Sequence, residues 1–217
     1  MLLFGRSLEA LIAVALILLV SLPFHEFSHA LAAYRLGDST AKHMGRLTLN
    51  PLAHLDPLGA LLILAVGFGW AKPTPYNPYN VRGGKTGEAI IALAGPASNL
   101  VLALAASIPL RYITTTGVAV PLAVVSVLEA FVELNVILAV LNLIPIPPLD
   151  GSKLLFAAMD QRTERQWRPV LEQYGILLLL AAMLFPLLPG GETIVGFVFR
   201  EVGSPIIQLL TGEALRF

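Results

Sequence analysis

Two histidines four residues apart, His25 and His29, enclose a glutamate in the run His25-Glu26-Phe27-Ser28-His29. On a helix, positions i and i+4 share a face, so both imidazoles can reach one ion while Glu26 flanks an open coordination position. The chemistry this suits is hydrolysis by metal-activated water, with the carboxylate taking the proton. Zinc fits best, because it accepts nitrogen and oxygen ligands tetrahedrally and needs no redox cycling. The chain has four histidines and no cysteine. Thiol catalysis, disulfides and iron–sulfur clusters are excluded, and any metal must sit on nitrogen and oxygen. A catalytic zinc takes three protein ligands and leaves the fourth place to water. The candidate for the third is Asp150, which closes the run Asn142-Leu143-Ile144-Pro145-Ile146-Pro147-Pro148-Leu149-Asp150-Gly151. The prolines stop a helix and hold the chain extended, and Gly151 permits a sharp reversal that turns the carboxylate back. Asp-Gly is also an ordinary turn, so these residues alone leave both readings open.

The elements that must position these groups are apolar. Of 217 residues, 56% are hydrophobic and only 13% charged, with mean hydropathy +0.78. A soluble domain carries about 25% charged residues, so the balance points to lipid. The formal net charge is zero and gives no sign of a nucleic-acid partner. Hydrophobic segments run over about 8–35, 87–110, 118–144 and 170–188, each long enough to cross a bilayer. A run over 58–70 is shorter. Prolines in 72–79 forbid a helix interior there, and Arg46–Leu49 reads as a short strand. The expectation is one membrane-embedded, all-α polytopic domain over 1–217. It has about four full transmembrane helices, a re-entrant segment at 58–70, small β-like elements near 40–50 and 74–82, and an interfacial helix after 192. The first apolar run could be a signal peptide, with Arg6 as its basic start and Ala30-Leu31-Ala32 as its cleavage site. Nine residues bearing two His and a Glu intervene, and the apolar pattern resumes through Tyr34, so it reads as a span. Two His and a Glu within a span cost several kcal/mol unless paired or facing a water-filled cavity. Glu129 and Glu133, at i and i+4 in a later span, carry the same cost. They read as structural, with a second cation site as the alternative.

Three ordered motifs together resemble the site-2 protease family of intramembrane metalloproteases, and within it the small prokaryotic members lacking a PDZ domain. They are His25-Glu26-Phe27-Ser28-His29, Gly95-Pro96-Ala97-Ser98-Asn99 and Asn142…Pro145…Asp150-Gly151. Leu49-Asn50-Pro51…His54…Asp56-Pro57 and Gly69-Trp70-Ala71-Lys72-Pro73 resemble a subgroup signature, and the likeness covers residues 8 to about 175. It implies Asp150 as the third zinc ligand beside His25 and His29, and Asn142 as a contact to the substrate backbone. Asn99 and His54 are further candidates. Asn99 reads as a tie between the third and fourth segments, and His54 as the anchor of its own loop. The implied function is zinc-dependent endoproteolysis of a membrane protein's transmembrane segment within the lipid bilayer. The receiving edge for an unwound substrate is Arg46–Leu49 or Tyr76–Val81.

The metal imposes a topology. His25 lies about 15 Å before the exit of its helix, at ~1.5 Å per residue, and Asp150 just past the exit of the fourth segment. Those exits must share a side, which requires 58–70 to re-enter. Ten Lys and Arg then lie on the site's side, from Arg35 to Arg168, against Arg6, Arg111, Arg200 and Arg216. The positive-inside rule makes that side cytoplasmic. Two rival functions remain: an inactive metal-binding membrane protein, which has no use for Glu26, and a metal transporter, which would show repeated halves.

Overall fold

The computed structural model describes residues 8–66 and 69–212. Arg6, Arg216, residues 67–68 of the short apolar run and the end of the tail lie outside the described residues. Helix α1 (Leu8–Arg35) holds the His-Glu-x-x-His run. Pro23 has no N–H for the carbonyl one turn earlier. The helix absorbs this just upstream by widening to a π-turn at Ile17–Ser21, where the Leu22 N–H reaches the Ile17 carbonyl. Such bulges change helical phase and occur often beside functional sites.

Three short helices follow: α2 (Thr40–His43), α3 (Pro51–His54) and α4 (Pro57–Val66). Leu55 and Ala71 form an isolated antiparallel bridge, and the Lys72 N–H donates to the His54 carbonyl at 2.8 Å. Gly59 lies so close to Trp70 that a Cβ there would strike its carbonyl. The chain therefore leaves along α4 and returns to its starting point, the hairpin that the metal's depth demanded.

Helix α5 (Lys85–Thr116) then runs antiparallel to α1. Next come α6 (Leu122–Asn142), α7 (Gly151–Ala158), α8 (Gln161–Leu184) and α9 (Ile194–Thr211). Buried Ala103 and Leu110 of α5, Val132, Val136 and Val140 of α6, and Ile207 of α9 make one core. A smaller core joins Ala33, Val81 and Ile91. Many large apolar residues face outward, among them Val101, Ile108, Leu177 and Leu184, as a lipid-facing surface requires. The chain is a multi-pass, all-α membrane protein. Among the described residues, α1, α5, α6 and α9 are long and apolar enough to cross a membrane.

Three details differ from expectation. The segment 170–188, read as a span, is the second half of α8, which starts in polar residues at Gln161, ends at Leu184 and is not among the helices long and apolar enough to cross. The β-like elements near 40–50 and 74–82 do not form a sheet: 40–43 is helical, 46–49 bends, and Pro78–Asn80 is a 3-10 turn. Pro73, Pro75 and Pro78 supply no ladder donors, and what remains is one extended strap over residues 71–77. The tail, expected on the membrane surface, is a helix long and apolar enough to cross, and it buries Ile207 against α5 and α6. Arg200 pairs with Glu192 and Glu201, which lowers the cost of its charges beside apolar surroundings.

Candidate metal centre

One turn of α1 presents His25, Glu26 and His29, all buried. The turn after α6 brings Asp150 to them. Among the described residues these make the one group of His, Asp and Glu whose ligand atoms could share an ion: His25, His29 and Asp150, within 4.8 Å of one another. The His25 and His29 Nε2 atoms are 3.0 Å apart and lie 3.1 and 3.0 Å from Asp150 Oδ2. A tetrahedral zinc with bonds of about 2.0 Å has ligand-to-ligand edges of about 3.3 Å, close to this triangle.

The protons support the same fit. The His25 Nδ1–H faces Asn99 Oδ1 at 2.6 Å, and the His29 Nδ1–H faces the Ile91 carbonyl at 2.6 Å. The Asn99 amide is oriented by its own donation to Asn135 Oδ1, and Asn135 donates onward to the Phe131 carbonyl. With both Nδ1 atoms donating, a neutral ring at either position would turn its Nε2 lone pair toward the carboxylate oxygen, the form that binds a metal. Three acceptors about 3 Å apart repel unless a cation lies among them, and outer partners of this kind fix metal-binding imidazoles. Gly95 of α5 completes the cradle. A Cβ at that position would collide with both Nε2 atoms, so only glycine leaves the space.

Around this triangle lie groups that the sequence did not single out. Lys153, one turn into α7, donates to Asp150 Oδ1 at 2.9 Å, so Oδ2 alone faces the imidazoles. Thr74 of the strap meets Glu26. Its N–H donates to Oε2 at 2.9 Å, and its hydroxyl lies 2.7 Å from the same oxygen. Below them, buried Asp38 ties the strap to the end of α1. It accepts from Thr40, from the Asn77 N–H at 2.8 Å and from the Asn80 amide. Burial pushes the Asp38 carboxyl up, but these donors outweigh it and hold the group below the usual carboxylate range. Tyr76, against the smaller core, is pushed up to about 12 by burial and by Glu88, to which it donates. Pro73-Thr74-Pro75 signalled an extended stretch, but nothing in it named the partner.

The remaining candidates fall in different places. Asn142 turns its amide onto the Leu138 carbonyl of its own helix at 2.9 Å. Asn99 joins α5 to α6 and also holds His25. The His54 Nε2 bonds the Thr48 carbonyl of its own loop at 2.7 Å, away from the triangle. Glu129 and Glu133 belong to no second metal group among the described residues. Gly151 is needed for a reason other than the expected reversal. Its φ is not positive, but a Cβ would strike the Leu143 and Ile144 carbonyls, so glycine lets Asp150 close against the end of α6. Gly175 of α8 packs equally tightly on Pro147 and braces the same loop.

Comparison with known proteins agrees with this chemistry. The family model for peptidase family M50 matches residues 109–186, the stretch that includes Asp150. The chain is 35% identical over 202 residues to YwhC of Bacillus subtilis (strain 168), whose name describes a zinc metalloprotease. That alignment covers 88% of this chain and 92% of the relative. It is also 35% identical to Rip2 of Mycolicibacterium smegmatis, likewise named as a zinc metalloprotease, over 78% of this chain and 66% of that longer one. Rip3 of Mycobacterium tuberculosis (strain H37Rv) is 35% identical over 68% of this chain and 31% of its own. No solved structure matches the chain.

Proposed function

Because the chain belongs to peptidase family M50 and is a zinc metalloendopeptidase, we propose that it cuts membrane proteins within or beside their transmembrane segments. The observation that carries this reading is the placement of the lone-pair triangle, with Glu26 beside it, inside apolar helices. His25, His29 and Asp150 hold the zinc. Bound there, zinc acts as a Lewis acid that polarises the scissile carbonyl and makes water acidic enough to lose a proton near neutral pH.

The chain's own residues do the rest. Glu26 accepts the proton through its carboxylate and returns it to the leaving amine. Asn99, Asn135 and the Ile91 carbonyl hold each imidazole in one orientation with its Nδ1 as the donor, which leaves Nε2 for the metal. Lys153 occupies Asp150 Oδ1 and so keeps Oδ2 toward the histidines. Asn142 contacts the substrate backbone once its amide leaves the Leu138 carbonyl. A transmembrane helix hides its carbonyls in i→i−4 bonds, so the substrate must unwind where it meets Glu26. Ten of the Lys and Arg between Arg35 and Arg168, all but Arg111, lie on the site's side, and by the positive-inside rule this favours a cytoplasmic orientation.

Reconstitution with a single-span substrate in lipid vesicles tests this. The wild type should release fragments whose new termini map by mass spectrometry to the apolar segment or its edge, and Glu26→Gln should release none. Cuts confined to a distant soluble loop would refute the intramembrane reading.

A further inference from the structure

Glu26 lies at the crossing of two elements, and only one of them is its own helix. The strap that crosses α1 is pinned on both sides of Thr74. Upstream, Ala71 bridges to Leu55 and the Lys72 N–H bonds His54. Downstream, the Asn77 N–H bonds Asp38, and Tyr76 packs on the core of Ala33, Val81 and Ile91. Pro73 and Pro75 contribute no N–H, and Pro75 holds the residue before it extended. Thr74 is therefore the one residue of this tripeptide with a backbone donor, delivered in a fixed conformation.

Both Thr74 donors point at one oxygen. The N–H and the hydroxyl reach Glu26 Oε2 at 2.9 and 2.7 Å, while the hydroxyl lies farther, at 3.0 Å, from the Glu26 carbonyl. A hydroxyl has a single proton, and the shorter contact to the charged carboxylate is the stronger bond. Two donors on Oε2 fix the plane of the carboxylate and leave Oε1 as the oxygen that handles the proton.

We propose that Thr74 is a positioning residue for the general base, a role that rests on the protease reading above. A free glutamate turns about three side-chain torsions. Holding it in one orientation saves the misplacement that can cost about a hundredfold in rate. The strap thereby couples the loop side of the molecule to the reacting proton.

The test uses the full chain in lipid vesicles with a substrate that the wild type cuts. Thr74→Val keeps shape and backbone N–H but loses the hydroxyl. It should lower kcat roughly tenfold to a hundredfold, as loss of a hydrogen bond to a charged group predicts, with KM and zinc content unchanged. Thr74→Ser should restore kcat. Infrared difference spectra of ¹³C-glutamate-labelled protein give a readout independent of turnover. The Glu26 carboxylate band, identified by its loss in Glu26→Gln, should shift in Thr74→Val and stay in place in Thr74→Ser. Wild-type or faster kcat in Thr74→Val, a change in KM alone, or failure of Thr74→Ser to rescue would each overturn the role. A wild type that cuts no substrate overturns the protease reading and this role together. A wild type that cuts beside an unimpaired Thr74→Val overturns this role alone.

Discussion

On the bundle side of the site, His25 and His29 are set by α1, and their outer nitrogens are satisfied by fully buried Asn99 and by a carbonyl of α5. On the loop side, Glu26 is set by the same helical turn but satisfied by Thr74, on a strap with little apolar burial of its own. The first side is held by helix packing. The second depends on hydrogen bonds at a few points, chiefly Asp38 and the bridge at Leu55 and Ala71. Metal holding and proton handling are therefore built from different forces, and each can be damaged while the other stands.

The largest expected effect comes from Gly95→Ala, which puts a methyl group against both Nε2 atoms. Zinc measured by plasma mass spectrometry should fall from about one per chain to a small fraction, and cleavage should vanish with it. A variant that keeps its zinc would show that the bundle side is softer than its packing implies. Asn99→Leu should be milder. It removes the acceptor for His25 Nδ1 and orphans Asn135, and loss of an outer partner costs about 10- to 100-fold in metal affinity, measurable by competition with a chelator. Retention of wild-type affinity would remove the amide chain from the account.

The smallest expected effect belongs to the loop side. Asp38→Asn should cost about 1–3 kcal/mol of local stability, read as faster hydrogen exchange over residues 71–81 with zinc content unchanged. The sign of its pH dependence follows from the lowered carboxyl. Its contribution is complete above the ordinary carboxylate pKa and is lost as pH falls through the depressed folded value. In the wild type the strap should loosen in acid, and in Asp38→Asn that acid-dependent step should be absent. A strap equally protected in both would leave Asp38 without the role given to it.

The same division explains what the sequence made legible. His25, Glu26 and His29 lie within one helical turn, so spacing alone reveals that they share a face. The re-entry of 58–70 was expected from requiring two ligand sets to meet at one depth. Asp150 remained open on its residues, because a turn and a ligand look alike until the end of α6 is placed beside α1. Thr74 was out of reach, since it lies 48 residues from Glu26 and half of its contribution is a backbone N–H that carries no residue signature. Gly95 stood in a recognised motif, but a helical glycine announces only a close approach. What approaches, here two imidazoles, depends on the rotation of α5 against α1. The strand expectation over 74–82 failed at residues whose prolines deny a ladder its donors, and the one near 40–50 gave way to the short helix at Thr40–His43. The role given to Gly151 changed because crowding by the Leu143 and Ile144 carbonyls, rather than a left-handed turn, demands it.

The central claim is that one zinc on His25, His29 and Asp150 works with Glu26 as a separate proton acceptor. X-ray absorption at the zinc edge of Glu26→Gln, with cleavage assayed on the same sample, tests it most directly. The account expects one zinc per chain, two imidazoles among nitrogen and oxygen ligands at about 2.0 Å, and no cleavage. Loss of the zinc, fewer than two imidazoles, or cleavage at the wild-type rate would contradict it.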